Sequence, residues 1–375
     1  MGLTVGLPRM TEHPGERRDL LPRFVHRLVQ LGADEVVVED GYGAALEIGP
    51  DPYLHEQPEV RSATATEVLA QDVVLVLRCP IRERLELLRP GSILVTMLHY
   101  ATRPARNDFL EDRKVRMVSL DSVVDDRGRR LVENLELTAW TGVAQAFRQL
   151  SLSWGMFAVP SRQPMRVTIL GSGALGGHAV HAATRYGDHE VRDALHRAGV
   201  PGVEVAVADH DLSWHEGYML GRLRATDILV DATFRANASI PVVPNAWLEA
   251  LPSHAVLLDL AADPYDRSTT PPGVKGFEGI PHGSLDQHVF GVDDPAWDAV
   301  ADLADTTNRR TALSCDAWPG LRPKDSMERY GEQLESVMEV VLGVPIDAWD
   351  RRSPHDRERA VARAEWRRWK EGHGC

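Results

Sequence analysis

Apolar and polar positions follow two periods along the chain. Short apolar runs at 3–7, 35–39, 73–77, 92–97 and 115–120 predict buried strands. Between them the spacing turns helical. Leu21, Phe24, Val25, Leu28 and Val29 recur on one face over 20–31, and Gly32 is a helix stop; 65–70 and 81–88 also predict helices. A long helix is expected over 137–158, before Pro160 and Pro164. A second block then begins, with strands at 166–170, 203–208, 227–231 and 256–260. Strands alternating with helices imply mostly parallel sheets with helices on their faces, an α/β fold. Residues 263–325 are rich in Pro, Gly and Asp and read as loops. Helix returns over 329–342, and 358–370 reads as one charged amphipathic helix. No internal repeat interrupts this order.

Length and charge narrow the picture. At 375 residues the chain fits two domains, and 43% hydrophobic with 26% charged residues is a globular balance. The net charge of -13 argues against nucleic acid or an anionic membrane as partner, because both need a basic footprint. No apolar run reaches about 18 residues, so no membrane span is expected, and the first residues do not read as a signal peptide. The three cysteines, Cys79, Cys315 and Cys375, are too scattered for a disulfide framework, so a reducing cytoplasm is the expected setting. Only four lysines occur: Lys114, Lys275, Lys324 and Lys370.

The strongest local signal is Gly171-Ser172-Gly173-Ala174-Leu175-Gly176, between a predicted strand and a predicted helix. Gly171 allows the tight turn, Gly173 lets the backbone approach a pyrophosphate, and Gly176 lets helix and strand pack closely. The helix N-terminus offers free N–H groups to the phosphates. Asp209 closes the next strand, where a carboxylate can accept the ribose hydroxyls of NAD. The interval from Gly176 to Asp209 is about a dozen residues longer than the ~20 typical, which predicts an added helix over 188–202. Asp211 could take Asp209's place. No Arg follows Asp209 to suit a 2′-phosphate, so NAD is favoured, with NADP left open.

Several short motifs resemble the alanine dehydrogenase / transhydrogenase α-chain / saccharopine dehydrogenase (L-lysine-forming) superfamily. Gly15-Glu16-Arg17-Arg18 is similar to its E-x-R start. The run Val74 through Pro80 resembles its strand ending in Lys-x-Pro, and Leu94 through His99 its strand ending in a catalytic His. Asp125-Asp126-Arg127-Gly128-Arg129-Arg130 looks like the saccharopine branch, as do Ala225 through Ile228 and Leu258 through Asp263. The resemblance spans most of residues 1–345. It implies two Rossmann-like domains with parallel sheets flanking a cleft, the nucleotide domain inserted into the first. Residues 1–140 with 315–375 would form the substrate and catalytic domain, and 141–314 the dinucleotide-binding domain. The implied activity is reversible NAD(P)-linked oxidation of a C–N bond in an amino acid or opine-type secondary amine. The implied partners are an amino acid or oxo acid and further copies of the chain, as a homo-oligomer.

The resemblance also assigns roles. His99 becomes the general acid/base, a task suited to an imidazole that titrates near neutrality. Arg18 becomes the substrate-carboxylate ligand, through its planar fork, with Arg17 equally eligible. Arg130, or Arg129, would hold the second carboxylate of an opine. Asp121 would orient a catalytic group. Glu278, with His282 and Asp286, lies in a loop that family members place beside the nicotinamide. The chain departs from the family at Arg78, where relatives carry Lys. Arginine keeps the charge and the carboxylate binding but does not shuttle protons. Two alternatives therefore stay open: a non-catalytic or regulatory dinucleotide-binding protein, and a specialised-pathway imine reductase. No metal is expected, since a reading of His282, Asp286 and His288 as ligands lacks a supporting spacing.

Overall fold

A computed structural model describes residues 2–10, 17–55, 57–152, 164–267 and 269–374. The chain forms two compact units. One comprises Met1–Asn134 with Pro323–Cys375, the other Leu135–Arg322. Each contains a six-stranded sheet.

In the first unit the strands are β1 (Leu3–Leu7), β2 (Ala33–Glu39), β3 (Val60–Ala63), β4 (Val73–Arg78), β5 (Ile93–Met97) and β6 (Arg116–Ser119). Their order is β3-β2-β1-β4-β5-β6, and every pairing is parallel. β4 is buried on both faces apart from Arg78, which explains its continuous apolar run. Reversal of strand order places a topological switch point between β1 and β4, and ligands of open α/β sheets bind outside the carboxyl ends there.

In the second unit the strands are β7 (Met165–Leu170), β8 (Val203–Ala208), β9 (Ile228–Asp231), β10 (Val256–Asp259), β11 (Val289–Phe290) and β12 (Thr311–Ser314). The order is β11-β12-β10-β9-β7-β8, parallel except for β11, which pairs antiparallel to β12 at the edge. The helix Leu135–Leu150 packs against this sheet. Its Gly142 admits the close approach, since a Cβ there would meet Leu260 Cδ2 at 2.4 Å.

Several elements differ from the sequence expectation. The helix expected over 81–88 is only Arg82–Leu85, because Pro90 and Gly91 close behind it. The helix expected over 137–158 is described as Leu135–Leu150, and residues 153–163 lie outside the described residues. The loop expected over 263–325 holds β11 and β12. The tail is two helices, Asp356–Ala364 and Trp366–His373. They part at Glu365, which is extended, fully buried, and caps the second helix by accepting from Arg368 N–H at 3.2 Å. The added helix before β8 is present as His189–Arg197.

Candidate active site

Candidate residues from separate strands line up along one edge of the first sheet. Arg18 follows β1, Arg78 ends β4, His99 lies two residues beyond β5, and Asp121 lies two beyond β6. β4, β5 and β6 are consecutive neighbours, so Arg78, His99 and Asp121 follow the carboxyl edge, while Arg18 lies in the segment between β1 and the helix Pro22–Gln30. Arg78 is half-buried, and its backbone N–H donates to Met10 Sδ at 3.4 Å, tying β4 to the segment after β1. The charge of Arg18 opposes the rise that burial imposes on the Tyr330 phenol. Gly15 and Glu16 of the first motif lie outside the described residues.

His99 is the most specifically held of these residues. Its backbone is left-handed, at φ 49°, a conformation unfavourable for a residue with a Cβ. The backbone N–H donates to Asp121 Oδ1 at 3.1 Å, and ring Nδ1 lies 3.5 Å from Asp121 Oδ2. Ser119 Oγ donates to the same carboxylate at 2.7 Å and accepts from Leu98 N–H at 3.0 Å. Burial alone would raise the Asp121 pKa. Hydrogen bonds from His99 and Ser119 outweigh it and hold the carboxyl well below its usual range. The imidazole is half exposed while Asp121 is nearly covered. This is the arrangement of a reachable proton carrier steered by a fixed anion.

The Asp125 through Arg130 segment does something more local. Asp125 Oδ1 accepts the backbone N–H of Arg127 and Arg129, and its Oδ2 takes the Arg129 guanidinium at 2.8 Å. Asp126 pairs with Arg359 and Arg363 of the tail helix Asp356–Ala364. Arg130 is exposed and bridges Val124 through its backbone.

In the second unit the glycine turn joins β7 to the helix Ala174–Ala183. Gly171 has φ 93°, and a Cβ there would come within 2.8 Å of Ala232 O. A Cβ on Gly176 would lie 2.0 Å from Gly171 O. Gly173, at the N-cap, has no atom within 4 Å of the Cβ position, so that space is open to a ligand. Asp209 follows β8, accepts from Ser172 Oγ across the turn, and takes His210 N–H at 2.8 Å. Ser172 first, and then His210, lower its pKa. These features fit a dinucleotide: two glycines demanded by backbone packing, one left open, a free helix N-terminus, and an acid beyond the neighbouring strand.

Glu278 Oε2 accepts Asn245 N–H at 2.8 Å at the start of the helix Asn245–Leu248. His282 and Asp286 are exposed. The pattern did not reveal a buried cluster at the carboxyl ends of β9, β10 and β12. Lys275, 1% exposed, donates to Asp259 Oδ2 at 2.7 Å and to Asp263 O at 2.9 Å. Ser314 Oγ donates to the same Asp259 oxygen at 3.0 Å. Among the described residues, Asp231, in register with Asp259, has no hydrogen-bond partner for its buried Oδ2. Burial and then Asp259 push its carboxyl up to about 6. The available signal was two acids closing buried strands in a chain with four lysines.

Residues 6–144 match the family model for the alanine dehydrogenase/PNT N-terminal domain. The alanine dehydrogenase of Methanococcus maripaludis is 24% identical over 276 residues, covering 70% of this chain and 72% of the relative. That of Mycobacterium tuberculosis (strain CDC 1551) is 26% identical over 315 residues, 80% and 81% of the two chains. A solved L-alanine dehydrogenase superposes with a TM-score of 0.70 at 18% identity, covering 97% of this chain and 94% of its own, and so shares the fold. Arg18, Arg78, His99, Asp121 and Arg130 all fall within the matched residues 6–144. The glycine turn and Asp209 lie beyond residue 144, in the second unit.

Proposed function

We propose that the protein is an NAD-dependent oxidoreductase acting on the C–N bond of an α-amino acid, with N-substituted, opine-type amino acids within reach of the same chemistry. The observation that carries this reading is the row Arg78, His99 and Asp121 along one sheet edge, in a chain whose other unit carries the glycine turn. The family-model match over 6–144 and the likeness to alanine dehydrogenases support it.

The turn of Gly171, Gly173 and Gly176, with Asp209, would hold NAD, which would supply the hydride acceptor. The chain's own residues do the rest. Arg18 and Arg78 hold carboxylate by charge-assisted hydrogen bonds. His99 takes the amine-side proton as the C–N bond becomes an imine, and gives one back in the reductive direction. Asp121 keeps the ring turned. An arginine at position 78 anchors without exchanging protons, which leaves the proton traffic to His99. Arg130 is assigned to a second carboxylate only for an opine substrate.

The test is a fluorescence titration with NADH and NADPH, then an absorbance screen. L-Alanine, L-lysine, L-glutamate and saccharopine would be offered with oxidised coenzyme, and 2-oxo acids with amines or ammonia with reduced coenzyme. Binding with turnover of one of these supports the reading. Failure to bind either coenzyme would sink it.

A further inference from the structure

Arg18 leads directly into a backbone segment held with unusual completeness. Asp19, 3% exposed, accepts Gly43 N–H at 2.8 Å through Oδ2. Leu20 N–H donates to Tyr42 Oη at 2.9 Å, and Tyr53 Oη donates to Leu20 O at 3.1 Å. Both backbone polar groups of Leu20 are therefore satisfied by tyrosine hydroxyls rather than by regular structure. The two rings meet edge to face, with centroids 5.5 Å apart, a favourable aromatic geometry. Gly43 is required where they meet: its φ is 85°, and a Cβ would lie 2.5 Å from the Tyr53 ring. The following helix, Pro22–Gln30, is tied to the same segment through His26 Nε2, 3.0 Å from Tyr53 O.

Core packing alone does not call for this. Apolar residues at 42 and 53 would fill the volume, but they would strand Leu20 N–H and Leu20 O. What the bonds accomplish is to fix the chain immediately after Arg18. A guanidinium on a fixed backbone loses less freedom on binding than one on a loose loop.

We propose that Asp19, Tyr42 and Tyr53 are positioning residues that clamp the Arg18 loop for recognition of the substrate carboxylate. This inference rests on the function proposed above, in which Arg18 binds that carboxylate. Tyr53→Phe removes one hydroxyl and keeps the ring packing; Tyr42→Phe is the parallel variant. The measurements are steady-state oxidation of L-alanine with NAD by the full chain, and NADH binding by fluorescence. The clamp predicts a five- to tenfold rise in KM for L-alanine in each variant, with kcat within twofold and NADH affinity unchanged, the signature of lost carboxylate binding. It also predicts non-additivity. Once Arg18→Ala has raised KM, adding Tyr53→Phe changes it no further, because the hydroxyl acts only through Arg18. A merely structural hydroxyl would lower stability and add its effect in both backgrounds, and that result overturns the clamp alone. An Arg18→Ala variant with unchanged KM overturns the clamp together with the assignment of Arg18 to the carboxylate on which it rests, and turnover of no amino acid by the unaltered chain overturns both along with the proposed function.

Discussion

The imidazole Nδ1 of His99 stands 3.5 Å from Asp121 Oδ2, and the backbone N–H of the same histidine donates to Asp121 Oδ1 at 3.1 Å. One carboxylate thus fixes both the ring and the chain that carries it. Asp121→Asn keeps the shape and removes the charge. With His99 as the proton carrier, kcat for amino acid oxidation falls by about tenfold or more, short of the roughly 10²–10⁴-fold loss expected for His99→Gln. NADH affinity stays the same in both variants. Equal turnover in Asp121→Asn and the unaltered protein would remove Asp121 from the mechanism. The pH dependence follows from its depressed pKa. The stability it contributes is present above the unfolded carboxylate range near 4 and is lost as pH falls through the lower folded value. Any activity lost between pH 7 and 5 therefore belongs to another group.

The glycine turn separates folding from binding. A Cβ on Gly176 would lie 2.0 Å from Gly171 O, so Gly176→Ala must push helix and strand apart, at a cost of about 1–3 kcal/mol. Gly173 has nothing near its Cβ position, and its φ of -65° suits alanine. Gly173→Ala should unfold at the same urea concentration as the parent yet bind NADH about tenfold more weakly, because the methyl occupies pyrophosphate space. Undiminished NADH affinity in that variant would show that no phosphate approaches this turn.

What could be read in advance follows from how local each signal is. β1 and β8 match their apolar runs residue for residue, because polar or turn-forming residues bound them tightly. β3 was not recognised, since only Val60 and Ala63 of its four residues face inward. The helix Pro104–Asp112 was missed as well; it buries only Asn107 and Leu110 and has almost no apolar stripe. In the candidate site, His99 and Asp121 were legible because each closely follows a clear strand. Their contact was not, because it depends on β5 pairing with β6. The Lys275–Asp259 pair and the tyrosine bonds to Leu20 are tertiary in the same way. No period in the sequence encodes them.

Asp231 makes the second unit sensitive to alkali. Its folded carboxyl titrates near 6 against a reference of 3.8. The folded state holds the proton more tightly, so the stability this confers is complete below about pH 4 and is lost as pH rises to 6 and above. Between pH 5 and 8 the loss is about 1.4 kcal/mol, the equivalent of one pKa unit. Asp231→Asn shifts absolute stability, but it should remove this part of the slope. Urea unfolding of both proteins at pH 5 and pH 8 measures it. An identical decline in the two would mean that Asp231 is ionised throughout.

Asp209 should decide between the coenzymes. Its two oxygens already accept Ser172 Oγ–H and His210 N–H, but a carboxylate has about four acceptor sites, which leaves room for ribose hydroxyls. Those two donors also keep it anionic into the acid range, and an anion there repels a 2′-phosphate. Asp209→Asn retains an N-cap for the short helix His210–Ser213 while discarding the charge. NADH should then bind about tenfold more weakly and NADPH more tightly, which narrows the preference by more than 1.4 kcal/mol. Parallel fluorescence titrations of the two coenzymes give the ratio directly. If it does not move, the discriminating acid lies elsewhere, and Asp211, two residues on and fully exposed, is the next position to change.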